Sequence, residues 1–551
     1  MKRRSFLKNS ALAVGSTLLG PRILSEPARA DATGATRPNL LFLMTDQQQS
    51  IALSLAGNKI LPTPNLDALA RSGAVFANAY SACPVCVPAR TSILTGRSIR
   101  STGVINNDAA ERAGALTGQE GIFKCRTFDE VLVDNGYVAE YYGKWHTRNE
   151  RGLKYANKPE VGQLPKLYKD FIAANKIPQP QPAGCVVDKT WGGAYMPDPL
   201  DQNYGDNAKL LAQLNGLPRR AKAEMARKLG IPASQGGEVG RAVVSAEHSI
   251  TAYVAQQTIS AIERLAKQTK PFSITCSIPP PHPPYIAPSP YYEMFPQKDM
   301  PLPASFRDPM ANSPYEHSGN RIAWCQNPDT IGYLIGNYYG LVREADEWVG
   351  KILATLDRLN LRDNTLVVFL SDHGEMLGAH GMYSKMVFLD ESSHIPMIFS
   401  HPGHIPKGRE IVDPVGHIDV YATILDCLGV QAPASEGASL LPLMNGDTTA
   451  KRNPFTVSEW PEARVPNYMV RDSQWKLMFG NSPAARGLDA LYDLKNDPYE
   501  TRNLIGSNPD RNQYKSQAET MKDMLLAWLR QVNSPDIDGV TKRNILGSAI
   551  G

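Results

Sequence analysis

Residues 38–46, "PNLLFLMTD", form an unbroken apolar run that stops on an acid, Asp46. A strand buried on both faces reads this way, because helices covering each side of a parallel sheet leave neither face wet. The acid then falls at the carboxyl end of the strand, the edge at which open α/β sheets bind ligands. Residues 364–372, "NTLVVFLSD", repeat the pattern and stop on Asp372, followed by His373.

Between these two strands the chain alternates. "PNLDALARSG" (64–73) reads as a helix with its glycine stop, "AVFANAY" (74–80) as a second strand, and "PARTSILTGR" (88–97) as a helix start with Pro88 in its first turn. "TFDEVLVDNG" (127–136) is helical and "YVAEYYGKWH" (137–146) a strand running into a polar loop. Residues 149–240, rich in Pro, Lys, Gly and Gln, read as an insertion of loops and helices. Alternation resumes with a helix over 248–269, the strand "PFSITCSI" (271–278) and a long amphipathic helix over 336–360. This is an α/β fold with a mostly parallel sheet. Beyond "FTVSEW" (455–460) come short polar strands and one late helix over 513–532. They predict a small α+β subdomain over 461–551, after a catalytic domain over 31–460.

The first thirty residues stand apart. Arg3 and Arg4 precede Phe6 and Leu7, a mildly apolar stretch follows, and Ala28-Arg29-Ala30 closes it. That is a twin-arginine export signal with an A-x-A cleavage site, which predicts a mature start at Asp31 and a periplasmic or secreted product. Lys2, Arg3, Arg4, Lys8, Arg22 and Arg29 against Glu26 account for more than the whole formal charge of +4, so the mature chain carries −1. No basic excess is left for nucleic acid or an anionic membrane surface, and no apolar run has the length of a membrane span.

Two of the seven cysteines, Cys83 and Cys86, lie in "SACPVCVPAR" (81–90). Their C-x-x-C spacing between a strand and a helix suits a thiol–disulfide pair. No second such pair exists to complete a zinc site. The redox reading also leaves other residues unused. Asp46 with Gln47, and Asp372 with His373, could hold a hard cation such as Ca²⁺ through oxygen ligands, while the imidazole nitrogen also admits Mn²⁺. Lys144 and His146 in "GKWH", His282 in "PPHPPY", and His380 with Lys385 in "HGMYSK" supply cations for an anionic group and imidazoles for proton transfer.

The second pattern at this site resembles a known family. Cys86-Val-Pro-Ala-Arg90, continuing through Thr91-Ser-Ile-Leu-Thr-Gly-Arg97, is similar throughout to the type I sulfatase signature C-x-P-x-R-x-x-x-L-T-G-R. D-Q at 46–47, G-K-W-H at 143–146, P-H-x-P at 281–284, S-D-H-G-E at 371–375 and H-G-x-x-x-K at 380–385 follow in the family's order. "LYDLKNDPYETRNL" (491–504) resembles its closing motif, so the likeness runs over about residues 37–505. It implies the alkaline-phosphatase-like α/β sandwich with a small C-terminal subdomain. It further implies that Cys86 is oxidised to formylglycine by a cytoplasmic formylglycine-generating enzyme before passage through the Tat translocase. Asp46, Gln47, Asp372, His373 and the modified Cys86 would hold one divalent cation, Ca²⁺ with Mn²⁺ as the alternative. One hydroxyl of the aldehyde hydrate would attack sulfur, with Arg90 orienting it and Lys144 and Lys385 clamping sulfate oxygens. His282 would protonate the leaving alcohol, and His146 would take the proton from the second hydroxyl to expel sulfate.

Gln47 and His373 stand where many members have Asp and Asn. These departures are similar to the phosphonate monoester and phosphodiester hydrolases, a sister branch whose chemistry is the alternative activity, whereas "GKWH" resembles the sulfatases proper. A sulfated carbohydrate derived from a polysaccharide is the expected substrate, with Arg100, Lys154, Trp191, Arg219 and Arg220 as candidate subsite residues. An inactive sulfated-glycan binding protein is the third reading.

Overall fold

The computed structural model describes residues 37–107, 125–147, 155–157, 159, 162–178, 186–187, 194–197, 239–447, 449, 452–461, 466–481 and 489–545. The export signal, Cys185 and four candidate subsite residues (Lys154, Trp191, Arg219 and Arg220) lie outside them.

Seven strands form the central sheet: β1 (Asn39–Asp46), β2 (Ala74–Phe76), β3 (Val138–Gly143), β4 (Phe272–Pro281), β5 (Thr365–Ser371), β6 (Met397–Ser400) and β7 (Arg409–Ile411). They lie in the order β7-β2-β6-β5-β1-β4-β3. β5, β1, β4 and β3 run parallel, as do β7 and β2, while β6 is antiparallel to both its neighbours. The sheet is therefore mixed and mostly parallel.

Successive residues of β1 point to opposite faces, as the two-residue period of a strand requires. Leu40, Phe42 and Met44 pack into one apolar cluster and Leu41 and Leu43 into another. The first cluster is closed by α2 (Cys86–Thr95), α3 (Phe128–Asp134) and α6 (His417–Cys427), through residues such as Ile93, Phe128 and Ile424. The second is closed by α1 (Pro64–Arg71), α4 (Ile250–Leu265) and α5 (Pro328–Arg358), through Leu69, Ile262 and Ile352. Each such side chain contributes about 1.5–3 kcal/mol by leaving water. None of the described helices is long and apolar enough to cross a membrane.

Two boundaries differ from the sequence reading. "AVFANAY" is two short strands in two sheets, because Ala79–Tyr80 leaves β2's partners to pair with His394–Ile395 and Val415–Gly416. The C-terminal sheet begins at Thr456 rather than 461. Its strands are β8 (Thr456–Glu459), β9 (Tyr468–Arg471), β10 (Trp475–Phe479) and β11 (Ala490–Asp493), antiparallel in that order. β8 pairs residue by residue with β9, and Val457 packs with Val470 and Leu477 under helix α7 (Lys515–Gln531).

Candidate active site

The parallel register sets Thr45 beside Ser371, so Asp46 and Asp372 leave the sheet side by side at its carboxyl edge. The next residue, Gln47, is held in the left-handed region at φ 69°. Such a conformation costs a non-glycine residue about 1–3 kcal/mol and persists only where its surroundings over-determine it. Here they do. The Gln47 N–H donates to Asp372 Oδ1 at 3.0 Å, and its carbonyl accepts from the Tyr338 hydroxyl at 2.8 Å. Gln47 Nε2 donates to the buried carboxylate of Glu375, which leaves Gln47 Oε1 to accept from Lys385 Nζ at 2.6 Å.

Cys86 is the first residue of α2, and Arg90 stands four residues on, over the same face. The Arg90 guanidinium is 2% exposed and bridges both strand-tip acids, with Nη2 2.9 Å from Asp46 Oδ2 and Nε 2.7 Å from Asp372 Oδ2. Nη1 donates to Ser277 Oγ at 2.8 Å and to the Lys144 carbonyl at 3.0 Å. A planar, permanently charged fork fits this double bridge, which a lysine could not reproduce. Arg90's hydrogen bonds thus run to the acids and to β4, and its charge reaches Cys86 through space.

Four groups crowd the Cys86 thiol. His373 Nε2 lies 3.1 Å from Sγ, Lys385 Nζ 3.3 Å, Lys144 Nζ 3.8 Å and Asp46 Oδ1 3.8 Å. His146 and His282 also reach it. Burial pushes the thiol up, but Lys144, Lys385 and His373 outweigh burial and hold it well below the ordinary range. Burial, then the Cys86 charge, push Asp46 up; Lys144, His282 and Arg90 pull it below the usual carboxylate range. His282 is depressed to about 4 by burial first and then by Lys385 and Lys144. Its Nδ1 lies 2.7 Å from the Pro283 carbonyl, so Nδ1 carries the proton of the neutral ring and Nε2 stays bare. Below its depressed titration the ring would be charged; near neutral pH it is a neutral acceptor through Nε2.

Asp46, Cys86, Asp372 and His373 each present one ligand atom within 4.8 Å of the others, and all four are buried. His373 Nδ1 donates to the Gly374 carbonyl at 3.0 Å, which orients the ring with Nε2 toward the acids, where loss of the Nε2 proton would free a nitrogen for a cation. Two carboxylates, the Gln47 amide oxygen and this nitrogen form a donor set that fits a divalent cation.

The structure therefore brings Asp46, Gln47, Cys86, Arg90, Lys144, His146, His282, Asp372, His373 and Lys385 into one cluster. His380 and Arg100 stand elsewhere. His380 is fully buried behind the site with Nδ1 2.7 Å from Asp308 Oδ2. Arg100 pairs with Asp536 at 2.9 Å, beyond the far end of α2. Cys83 is unbridged and packs among Tyr80, Val85 and Met376. Sequence reasoning missed Glu375, Ser277 and Tyr338 as supports of the site. Glu375 closes the quoted S-D-H-G-E motif, so a signal for it was present.

Lys385 touches both Gln47 and the Cys86 thiol, so removing it should injure catalysis more than folding. Lys385→Ala is expected to lower kcat about 100- to 1,000-fold, the scale for losing one preorganised charge contact in a buried site. Steady-state kinetics beside a thermal melt check this, and an unchanged kcat would remove Lys385 from the site.

The family profile described as Sulfatase matches residues 38–430. A second, described as N-sulphoglucosamine sulphohydrolase, C-terminal, matches residues 378–531. An arylsulfatase of Clostridium perfringens (strain 13 / Type A) is 27% identical over 516 residues, which cover 91% of this chain and 96% of that protein. A solved structure holding its substrate, D-glucosamine-2-N,6-O-disulfate, superposes with a TM-score of 0.64 at 20% identity, covering 92% of this chain and 100% of that one. The phosphonate monoester hydrolase of Agrobacterium radiobacter superposes with a TM-score of 0.66 at 23% identity, covering 90% and 96%.

Proposed function

The chain belongs to the sulfatase family and is a sulfuric ester hydrolase with the alkaline-phosphatase-like fold, and on that premise we propose that it removes sulfate from a sulfated carbohydrate with formylglycine made from Cys86. The observation that carries the reading is the setting of Cys86. It opens a helix, where free backbone N–H groups favour an anion, with Lys385 and Lys144 at 3.3 and 3.8 Å and His146 and His282 alongside.

A hydrated aldehyde at position 86 supplies a nucleophilic oxygen and a second hydroxyl through which the site is restored. The chain's own residues do the rest. Lys144 and Lys385 bind the sulfate oxygens and fix the sulfur against position 86. His282, loaded with a proton when the anion raises its affinity, delivers it from Nε2 to the departing alcohol. His146 removes a proton at position 86 to complete the cycle. Asp46, Gln47, Asp372, His373 and the modified Cys86 would hold the cation, Ca²⁺ in our reading with Mn²⁺ as the alternative, which would supply positive charge to the site. Arg90 keeps the two acids aligned and opposes the burial that favours their neutral forms.

His282→Ala should therefore discriminate between leaving groups. Turnover of an alkyl or sugar sulfate is expected to fall about 100- to 10,000-fold, and that of an activated aryl sulfate far less. An equal loss on both would contradict the general-acid role.

A sugar as the substrate is supported by the neighbour solved with a glucosamine disulfate. The second reading, phosphonate ester hydrolysis, is favoured by the similar superposition on a phosphonate monoester hydrolase and by Gln47 and His373 beside the strand-tip acids. Turnover of defined sulfated oligosaccharides against phosphonate monoesters and phosphodiesters decides. Preferential release of sulfate supports the proposal, and phosphonate preference overturns it. Export follows from the twin-arginine segment in our reading. The Tat translocase carries folded proteins, so maturation of Cys86 would be finished in the cytoplasm. Fractionation of the host tests this, and an active enzyme confined to the cytoplasm would overturn it.

A further inference from the structure

We propose that Lys476, on the C-terminal subdomain, is a positioning residue for the active-site loop that carries Lys385. The proposal rests on the placement of Lys385 in the site.

Lys385 sits between two strained residues. Ser384 and Met386, neither of them glycine, are left-handed at φ 70° and 77°. They keep that conformation only if the loop is anchored at both ends. On the near side the Ser384 N–H donates to the Glu375 carboxylate. On the far side, three residues past Lys385, the Phe388 carbonyl accepts from Lys476 Nζ at 3.1 Å. That ammonium is fully buried, also contacts Asp390 Oδ1, and lies 2.7 Å from Glu500 Oε1. Glu500, from the same subdomain, accepts the Asp390 N–H at 2.7 Å. Two groups of the subdomain thus grip residues 388–390 from one side.

Past residue 390 the segment makes separate hydrogen bonds behind the cation shell. The carbonyls of Glu391 and Ser392 accept the N–H groups of Glu375 and Gly374 at 2.8 Å, directly after His373. The Ser393 carbonyl accepts the Ser81 N–H at 2.8 Å, on the segment leading to Cys86. A single ammonium under residues 388–390 therefore supports the lysine loop, while residues 391–393 hold the backbone behind the ligands through hydrogen bonds of their own. The sequence of the closing motif supplies Glu500, and β10 supplies Lys476.

A cation of purely structural value would alter stability and leave the rate per folded molecule untouched. A positioning cation alters kcat, and does so through Lys385. Lys476→Met is expected to lower kcat about 10- to 100-fold, the scale of a displacement near 1 Å at a reacting centre. Cys86 conversion and metal content should be unchanged, and the assay is run well below the melting transition. In a Lys385→Ala background the same substitution should change kcat less than about 2-fold, because the group it positions is gone. Lys476→Met leaves buried Glu500 and half-buried Asp390 without their cation, which can prevent folding. The triple variant Lys476→Met, Asp390→Asn, Glu500→Gln removes all three charges at similar volume, and the same loss of kcat is expected from it. A full-rate Lys476→Met or triple variant beside a crippled Lys385→Ala enzyme would overturn the proposal alone, as would losses that multiply in the double variant. A full-rate Lys385→Ala enzyme would instead overturn the site assignment beneath it.

Discussion

Cys86→Ala is expected to abolish turnover while the protein still folds, and Cys83→Ala to leave most of it. The two cysteines are three residues apart and both buried, yet their surroundings differ in kind. Cys83 lies in an apolar cluster, where burial raises its thiol well above the ordinary range. Cys86 lies among Lys144, Lys385, His373 and the strand-tip acids, where the thiol is held well below it. Losing an essential nucleophile costs on the order of 10⁴–10⁶ in kcat. Losing the Cys83 sulfur removes a small buried group, at roughly 1 kcal/mol of stability. Kinetics with a thermal melt on both variants check this. Equal losses of activity would revive the paired-thiol reading of C-x-x-C.

Arg90→Leu should have the largest effect on stability. The guanidinium is the shared partner of Asp46 and Asp372, both wholly buried. Removing one partner of a buried ionic set leaves uncompensated charge, at about 3–5 kcal/mol. The loss is best read by equilibrium denaturation of chelated protein, because a bound cation would offset part of the exposed negative charge. Of the two acids, Asp46 makes the native protein lose stability in acid, whereas burial and the Asp46 charge push Asp372 up, so its contribution has the opposite sign. The folded-state pKa of Asp46 lies below the unfolded value near 4. Its contribution in the native protein is therefore present above that pH and lost as the pH falls further. Arg90→Lys should recover part of the stability and little of the activity, since an ammonium lacks the planar fork that reaches both acids, Ser277 and the Lys144 carbonyl at once. Unchanged stability in Arg90→Leu would contradict the bridging role.

The parts of the fold that were legible in the sequence are those whose burial is long and regular. β1 and β5 are eight and seven residues buried throughout, and such runs announce both the parallel sheet and the acids at their ends. β6 and β7, of four and three residues, are too short to show a period, so the antiparallel turn of the sheet at β6 could not be read. The same limit split "AVFANAY" between two sheets and hid the start of the C-terminal sheet at Thr456.

Within the site, groups that touch the reacting centre were legible because they occur in dense local motifs, such as C-x-P-x-R and G-K-W-H. The groups that hold them were not. Tyr338 braces Gln47 from 291 residues away, and Ser277 meets Arg90 across 187. Neither lies in a motif of its own, and only the folded chain brings them to the site. Lys476 belongs to this class: in the sequence it is an ordinary lysine in a polar strand, and burial alone distinguishes it.

The central claim is that this sulfatase works through a modified Cys86, and the most direct test is the mass of the peptide spanning residue 86 in active enzyme from its native host. The expected result is a peptide in which the thiol sulfur has been replaced by an aldehyde oxygen, together with release of inorganic sulfate from the substrate. Active enzyme in which that peptide carries only the unmodified thiol would contradict the account.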